Sequence, residues 1–235
     1  MKIVALLTGK GNSALKNKNI TKVKGKPILA YPCIEAKKVK AIGGFYTSSD
    51  SARIFNIASN WGFKKILRPK KLAKKNSLHR DVILHSLKYL HEKKIFPEII
   101  VVLLANSATI KYQWINKCIL KLLKSPKATA CVPVMINNDH HPFRAKKINS
   151  NGYLGSFFKF KKKISSNRQD LPKNFFLAHN FWVIRTKNVF LNNGEPPWGF
   201  LGSKVIPYVI ENSIDIHSEQ DFKLTLDWLN NKKKF

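Results

Sequence analysis

Ile3-Val4-Ala5-Leu6-Leu7 runs without a break into Thr8-Gly9-Lys10-Gly11-Asn12-Ser13 and on into Leu15-Lys16-Asn17-Lys18-Asn19-Ile20. A short apolar strand that ends in glycines and then lysines is a device for holding phosphate. Gly9 and Gly11 let the backbone turn tightly and approach a ligand closely. Exposed N–H groups, the Ser13 hydroxyl and the ammonium groups of Lys10 and Lys18 supply donors and positive charge. The stretch is neither a Walker loop nor G-x-G-x-x-G. These residues alone leave two readings open: a nucleotide-phosphate loop, or an ordinary Gly/Asn turn in a lysine-rich chain.

Outward from this strand the pattern alternates. Strands are predicted at 2–7, 45–48, 65–67, 99–104, 129–134, 181–185 and 213–216. Helices are predicted at 27–38, with Pro32 an interruption, and at 77–91, 112–123 and 218–229. A further helix carries Ile54, Ile57, Ala58 and Trp61, with Asp50 as candidate cap and Gly62 marking its end. This βαβα order predicts an α/β fold, a mostly parallel sheet covered by helices on both faces. The rhythm breaks at about 136–175, where Asn, Gly, Lys and aromatics dominate and Gly152 and Gly155 suggest hairpins. At 235 residues the chain suits one domain, 1–235, without internal repeats.

The longest apolar run, Ile99 to Ala105, is far short of a membrane span, and the N-terminal apolar run lacks a signal-peptide pattern. Cys33, Cys118 and Cys131 are widely spaced and read as reduced core thiols of a cytoplasmic protein. The formal net charge is +30. Only six of the 43 basic residues are Arg, and the lysines are spread along the whole chain. Base-edge readout and bidentate phosphate clamps recruit Arg, so no specific nucleic-acid partner is expected. The field would still attract a small anion such as a nucleoside triphosphate.

The opening motif, followed by Lys18-Asn19-Ile20 and Gly25-Lys26-Pro27, resembles the N-terminal signature of the acylneuraminate cytidylyltransferases, the CMP-sialic acid synthetases and their relatives. Further blocks resemble the same family in the same order. They are Thr47-Ser48-Ser49-Asp50, Leu67-Arg68-Pro69 with Leu72-Ala73, His140-His141-Pro142, Arg168-Gln169-Asp170-Leu171-Pro172, and the run from Ser213 to Asp221. The resemblance implies a Rossmann-like nucleotide-diphospho-sugar transferase fold. It also implies a homodimer, in which the 136–175 insertion reaches across to close the partner's substrate site. The implied reaction transfers CMP from CTP to a nonulosonic, sialic-like sugar acid and releases pyrophosphate.

Site residues follow from the same matches. Thr8, Gly9, Lys10, Gly11, Asn12, Ser13, Lys18 and Asn19 would bind the nucleotide, with Lys10 in place of the family's arginine. Asn106, Ser107, Arg144, Arg168, His179 and Asn180 would face the acceptor. A guanidinium suits a carboxylate bidentately, which favours Arg144 and Arg168; surface arginines in loops are the alternative. The family has two magnesium aspartates where this chain has Asp215 and His217. Two residues apart in an extended segment, both side chains share a face. Asp215, with Lys10, is the catalytic candidate and the principal Mg²⁺ ligand. His217 is expected to act through water under Mg²⁺ and to ligate more directly under Mn²⁺. Asp221 reads instead as part of a capping box beginning at Ser218.

The segment from Leu103 to Lys111 lacks the glutamine that meets sugar acid in sialic acid enzymes. It also lacks the acid that the related 3-deoxy-octulosonate enzymes use. Plain sialic acid is therefore not the expected acceptor. The rival readings are a cytidylyltransferase for another 2-keto sugar acid or a phosphonate, and a non-catalytic nucleotide or nucleic-acid binder.

Overall fold

A computed structural model describes residues 2–11, 15–161 and 163–231. In chain order these form β1 (Ile3–Thr8), β2 (Lys22–Val23), β3 (Lys26–Pro27), α1 (Ala30–Lys37), β4 (Gly44–Ser49) and α2 (Ala52–Ser59). There follow β5 (Lys64–Leu67), α3 (His79–Glu92), β6 (Ile99–Leu104), α4 (Tyr112–Lys124), β7 (Ala130–Ile136), β8 (Lys146–Ile148) and β9 (Leu154–Ser156). The chain continues with β10 (Phe175–Leu177), β11 (Phe181–Arg185), α5 (Thr186–Leu191), β12 (Val205–Val209) and α6 (Glu219–Asn231).

The main sheet has β5 at one edge, then β4, β1, β6, β11, β7 and, at the other edge, β12. β10 and β11 pair antiparallel with successive stretches of β7, and β11 is also antiparallel to β6. The other six strands share one direction. The predicted mostly parallel sheet is therefore present. The excursion after β7 reverses the chain and returns it alongside the same strand.

Residues of β1 alternate between two cores, as a period of two requires. Ile3, Ala5 and Leu7 meet Leu29 and Cys33 of the α1 region, Ile54 and Ala58 of α2, and Ile115 and Cys118 of α4. Val4 and Leu6 share the other face with Ile83, Leu87 and Leu90 of α3 and Val189 of α5. Burial on both faces explains why β1 and β6 are apolar along their length; each buried Leu or Ile contributes about 1.5–3 kcal/mol. A smaller cluster of Val23, Ile28, Ala108, Ile216 and Leu229 seats α6.

Several sequence expectations are corrected by local chemistry. The first helix begins at Ala30, not 27, because Lys26–Pro27 pairs with Lys22–Val23 around Lys24 and Gly25, both at positive φ. Two positive-φ residues make the tight turn such a hairpin needs. Pro32 then falls in the first turn, where a missing N–H costs nothing. Asp50 does not cap α2; its Oδ1 accepts the Gly11 N–H at 2.9 Å, and Ser51 occupies the cap position. Gly152 turns the β8–β9 hairpin at φ +82°, whereas Gly155 lies within β9.

Residues 213–216 are extended but form no ladder. Side chains hold them instead: Thr109 Oγ1 accepts the Ile214 N–H at 2.7 Å, and Ser107 Oγ donates to Ile214 O at 2.8 Å. The ladder strand is β12, missed because Pro207 interrupts it; an edge strand tolerates the proline. The short α5 was also not anticipated. Asp221 behaves as expected, its Oδ2 accepting the Ser218 N–H at 2.8 Å and the Ser218 hydroxyl at 3.0 Å.

Candidate functional site

Above the C-terminal ends of β1 and β6, where open α/β sheets bind ligands, lies a cleft of about 330 Å³. Three chain segments converge there. The first is the end of β1, giving Thr8, Gly9 and Lys10, followed by Lys18 and Asn19. Gly9 is dictated by packing: a Cβ there would lie 2.8 Å from the Ala105 Cβ. The loop is laced to its surroundings. Asn19 Nδ2 donates to Lys10 O at 3.0 Å, and the Gly9 N–H donates to Ser48 O at 3.2 Å. With the Gly11 N–H on Asp50, two loop amides are already committed to protein acceptors. Asn12 and Ser13 lie outside the described residues.

The second segment is the turn after β6, held against the extended 213–217 stretch by the Ile216 N–H donating to Asn106 O at 3.1 Å. Asn106 Nδ2 donates to Asp215 Oδ1, and His217 Nε2 lies 2.9 Å from Asp215 Oδ2. Asp215 and His217 do share a face. Lys18 Nζ donates to Ile216 O at 2.5 Å, which brings an ammonium beside this carboxylate. Burial raises the Asp215 pKa, opposed by His217, Lys18 and His179. Burial likewise lowers that of Lys18; Asp215 opposes this shift, and Lys10 adds to it.

The third segment, from β5 into α3, supplies cleft residues not singled out from the sequence as site residues, Arg68 and His79 among them. Arg68 is buried, with Nη2 donating to Ser48 O at 2.8 Å, and burial lowers its pKa to about 10. Its scarcity as an arginine was the available signal. His79 Nε2 sits 3.3 Å from Thr8 Oγ1, and its ring meets Trp182 edge-on at 5.2 Å. Burial, helped by the positive charge of Arg68, lowers its pKa to about 4. Nothing in the sequence distinguishes a histidine opening a helix from any other.

A pH dependence follows. His79 is expected to stay neutral in the folded chain down to about pH 4, whereas an unfolded histidine protonates near 6.5. Its contribution is therefore fully present above about pH 6.5 and declines as pH falls toward 4, by an amount reduced because His79 is partly exposed to water. Imidazole NMR with urea unfolding at pH 7 and 4.5 checks this; a His79 resonance titrating near 6.5 would contradict it.

The remaining candidates divide. Ser107 and Asn180 are buried and serve the backbone, Asn180 Nδ2 donating to Thr109 O at 3.1 Å. His179 is half-buried among Trp182 and Trp198, and burial lowers its pKa. Arg168 and Arg144 lie on the insertion and do not line the cleft. Arg168 Nη1 pairs with Asp139 Oδ1 at 2.6 Å beside a separate shallow hollow.

Among the described residues, no three of His, Cys, Asp and Glu gather as a metal cage. The Asp215–His217 pair nevertheless fits a divalent ion that draws most of its shell from elsewhere. Each Asp215 oxygen keeps a second lone pair beyond its one hydrogen bond. Among the described residues, no helix is long and apolar enough to cross a membrane.

Comparison with known proteins places these features in context. A family model described as cytidylyltransferase matches residues 11–179. The chain is 24% identical over 232 residues to the N-acylneuraminate cytidylyltransferase of Escherichia coli O18:K1:H7 (strain RS218 / NMEC), covering 96% of this chain and 51% of that protein. It is 35% identical over 95 residues to the pseudaminic acid cytidylyltransferase and UDP-2,4-diacetamido-2,4,6-trideoxy-beta-L-altropyranose hydrolase of Helicobacter pylori (strain ATCC 700392 / 26695). That match covers 40% of this chain and 18% of that protein. The chain thus spans about half or less of the length of these curated relatives. Among solved structures, a CMP:2-keto-3-deoxy-manno-octonic acid synthetase complexed with CTP superimposes with TM-score 0.71 at 12% identity, covering 99% of this chain and 100% of that one. The 4-diphosphocytidyl-2C-methyl-D-erythritol synthase of Anaerococcus prevotii DSM 20548 gives 0.65 at 15%, covering 97% and 96%. At such identities the likeness is one of fold.

Proposed function

This chain belongs to the cytidylyltransferase family, and we propose that it transfers CMP from CTP to a sialic-like 2-keto sugar acid with release of pyrophosphate. One observation carries the reading: a single cleft joins Lys10 and Lys18 to Asn106 and His217, and both of the latter hydrogen-bond Asp215, which borders the neighbouring hollow. The acceptor's anomeric hydroxyl would displace pyrophosphate from the α-phosphorus in line. Such chemistry asks for positioning and charge stabilisation more than for a covalent nucleophile. Lys10 and Lys18 would meet the charge moving onto pyrophosphate, and Arg68 and Lys74 add further positive charge to the cleft lining. Asp215, with His217, would hold Mg²⁺ or Mn²⁺, which when bound supplies Lewis-acid charge neutralisation at the phosphates. Asn106 keeps the Asp215 carboxylate oriented, and the nearby Lys18 charge favours its ionised form.

The test is pyrophosphate release with CTP and a panel of acids: sialic-like 2-keto sugar acids, an octulosonic acid and a phosphonate. Release that requires both CTP and one sugar acid supports the reading. CTP binding without turnover on any acceptor would favour a nucleotide-binding protein. Lys10→Ala is expected to weaken CTP binding by about 1–3 kcal/mol, as for a lost charged hydrogen bond. Unchanged affinity by calorimetry would remove this loop from the site.

The insertion favours association of two copies. Ile148, Tyr153 and Leu154 of its hairpin are each more than 70% exposed, beside Phe157 and Phe158. Arg144 and Arg168 ride on the same arm and would reach the partner's acceptor pocket. A dimer is expected in sedimentation, and Leu154→Asp should shift it toward monomer; a wild-type monomer at working concentration would refute the arm's role. The buried free thiols of Cys33, Cys118 and Cys131 suit a reducing cytoplasm.

A further inference from the structure

We propose that Met135 is an oxidation site for hydroperoxides, and that its sulfoxide unseats the extended segment carrying Asp215 and His217. The catalytic consequence rests on the cytidylyltransferase reading; the modification and the movement do not. Met135 is the penultimate residue of β7 and the only methionine besides Met1. Its Sδ accepts the Ser213 N–H at 3.0 Å. Beside it, Val134 O accepts the Ile210 N–H at 2.9 Å. Successive residues of β7 thus hold the chain on both sides of the bend at Glu211, where it leaves β12 for the cleft. Thr109 and Ser107 then hold Ile214, and Asn106 holds Ile216, so the sulfur is the first anchor along 213–217.

This anchor is open to oxidation. Met135 is partly exposed, packed against one side of the core. Its partner Ser213 lines the hollow of about 860 Å³ that Asp215 borders, which gives a small peroxide room to approach their contact. In the reaction the sulfur lone pair attacks one peroxide oxygen. An S–O bond forms as the O–O bond breaks; sulfur gives up two electrons, and the peroxide leaves as alcohol or water. A thioether is only a weak acceptor, and at 3.0 Å no space remains between sulfur and nitrogen for the new oxygen.

An independent feature decides where that oxygen goes. The Ser213 hydroxyl oxygen is buried and has no hydrogen-bond partner among the described residues. A sulfoxide oxygen is a far better acceptor than the sulfur bearing it. The free hydroxyl draws it to the Ser213 side, so it wedges into the contact instead of turning to solvent. Ser213 must then move, and Asp215 lies two residues on. Oxidation also sets a polar group against the core where an apolar one packed.

The experiment treats the full chain with hydrogen peroxide and follows the 128–144 tryptic peptide by mass spectrometry, with fragment ions separating Met135 from Cys131. Hydrogen exchange at 213–217 and a thermal melt are read on the same samples. A gain of about 16 Da should map to Met135. Exchange at 213–217 should rise about fivefold or more, and the melting temperature should fall by about 2–4 °C. Methionine sulfoxide reductase should reverse both. Met135→Leu, close in volume, should change no further with peroxide, and in Ser213→Ala the sulfoxide should form with little gain in exchange. The proposal is overturned by a Met135 that stays unmodified while a free methionine peptide oxidises fully, or by a sulfoxide that leaves exchange and melt unmoved. Equal losses in Met135→Leu, or a full gain in exchange in Ser213→Ala, would overturn it too. Pyrophosphate release should fall as exchange rises; no release from the untreated protein would count against the cytidylyltransferase reading, while mass and exchange still decide the role of Met135.

Discussion

Asp215→Asn is expected to cut metal-dependent pyrophosphate release by about a hundredfold or more while leaving the fold intact. The side chain is nearly isosteric, and the segment carrying it is held by backbone and neighbouring groups: Ile214 through Thr109 and Ser107, Ile216 through Asn106. Burial raises the Asp215 pKa, so its ionised form is disfavoured by folding. A group with a raised folded pKa withdraws stability as pH climbs through that value. The amide carries no such cost, and the variant should melt at or slightly above the wild-type temperature at neutral pH. Initial rates with Mg²⁺ and with Mn²⁺, together with a thermal melt, check both halves. Retained turnover would remove Asp215 from the chemistry; a melting temperature lower by about 10 °C would make its role structural.

The largest stability effect is expected at Trp182. This residue is fully buried near the start of β11, with ring contacts to His79 at 5.2 Å, Phe200 at 5.6 Å and His179 at 5.9 Å. Trp182→Ala should cost about 3–5 kcal/mol, a large share of a typical domain's stability of about 5–15 kcal/mol. Its indole N–H has no hydrogen-bond partner among the described residues. Trp182→Phe removes that unsatisfied donor along with some volume, so it should cost much less. Urea unfolding ranks the two. The alanine variant should also open the Trp182-facing side of the partly exposed His79 ring to water and move its pKa up from about 4 toward the ordinary value, readable by NMR. Equal costs for both substitutions would mean that indole volume alone matters.

The parts of this molecule legible in the sequence are those governed by local periodicity. β6 falls at Ile99–Leu104 and β11 at Phe181–Arg185 as expected, because uninterrupted apolar runs have few other uses. Asp215 and His217 meet because two-residue spacing fixes sidedness wherever the chain is extended, whether or not a ladder forms. What was not legible depends on partners distant in sequence. Asp50 looked like a cap and became an acceptor for Gly11, 39 residues earlier in the chain. Glu35, one scattered acid among thirteen, is buried and accepts the Tyr112 N–H at the start of α4, a helix with no side-chain cap of its own. Arg68 and His79 enter the cleft only because β5 lies beside β4 and α3 packs over β1. Conversely, Ser107 and Asn180 have the polarity expected of site residues but spend it on backbone groups of the 109–214 region.

The two outer strands of the sheet bear on how copies of this chain can meet. β12 contains Pro207, which lacks an N–H, and β5 carries Lys64 and Lys65, both exposed. A docking strand would find a gap in the donor row on one side and like charge from its own twin on the other. Sheet-to-sheet fusion is thereby discouraged at both margins, which is a safeguard in a chain whose central strands are almost wholly apolar. Any self-association would be left to the hairpin arm, whose Ile148, Tyr153 and Leu154 are exposed. Solubility and the choice of mating surface would then be set by the same few edge residues, and opening an edge should produce aggregates before it produces a different dimer.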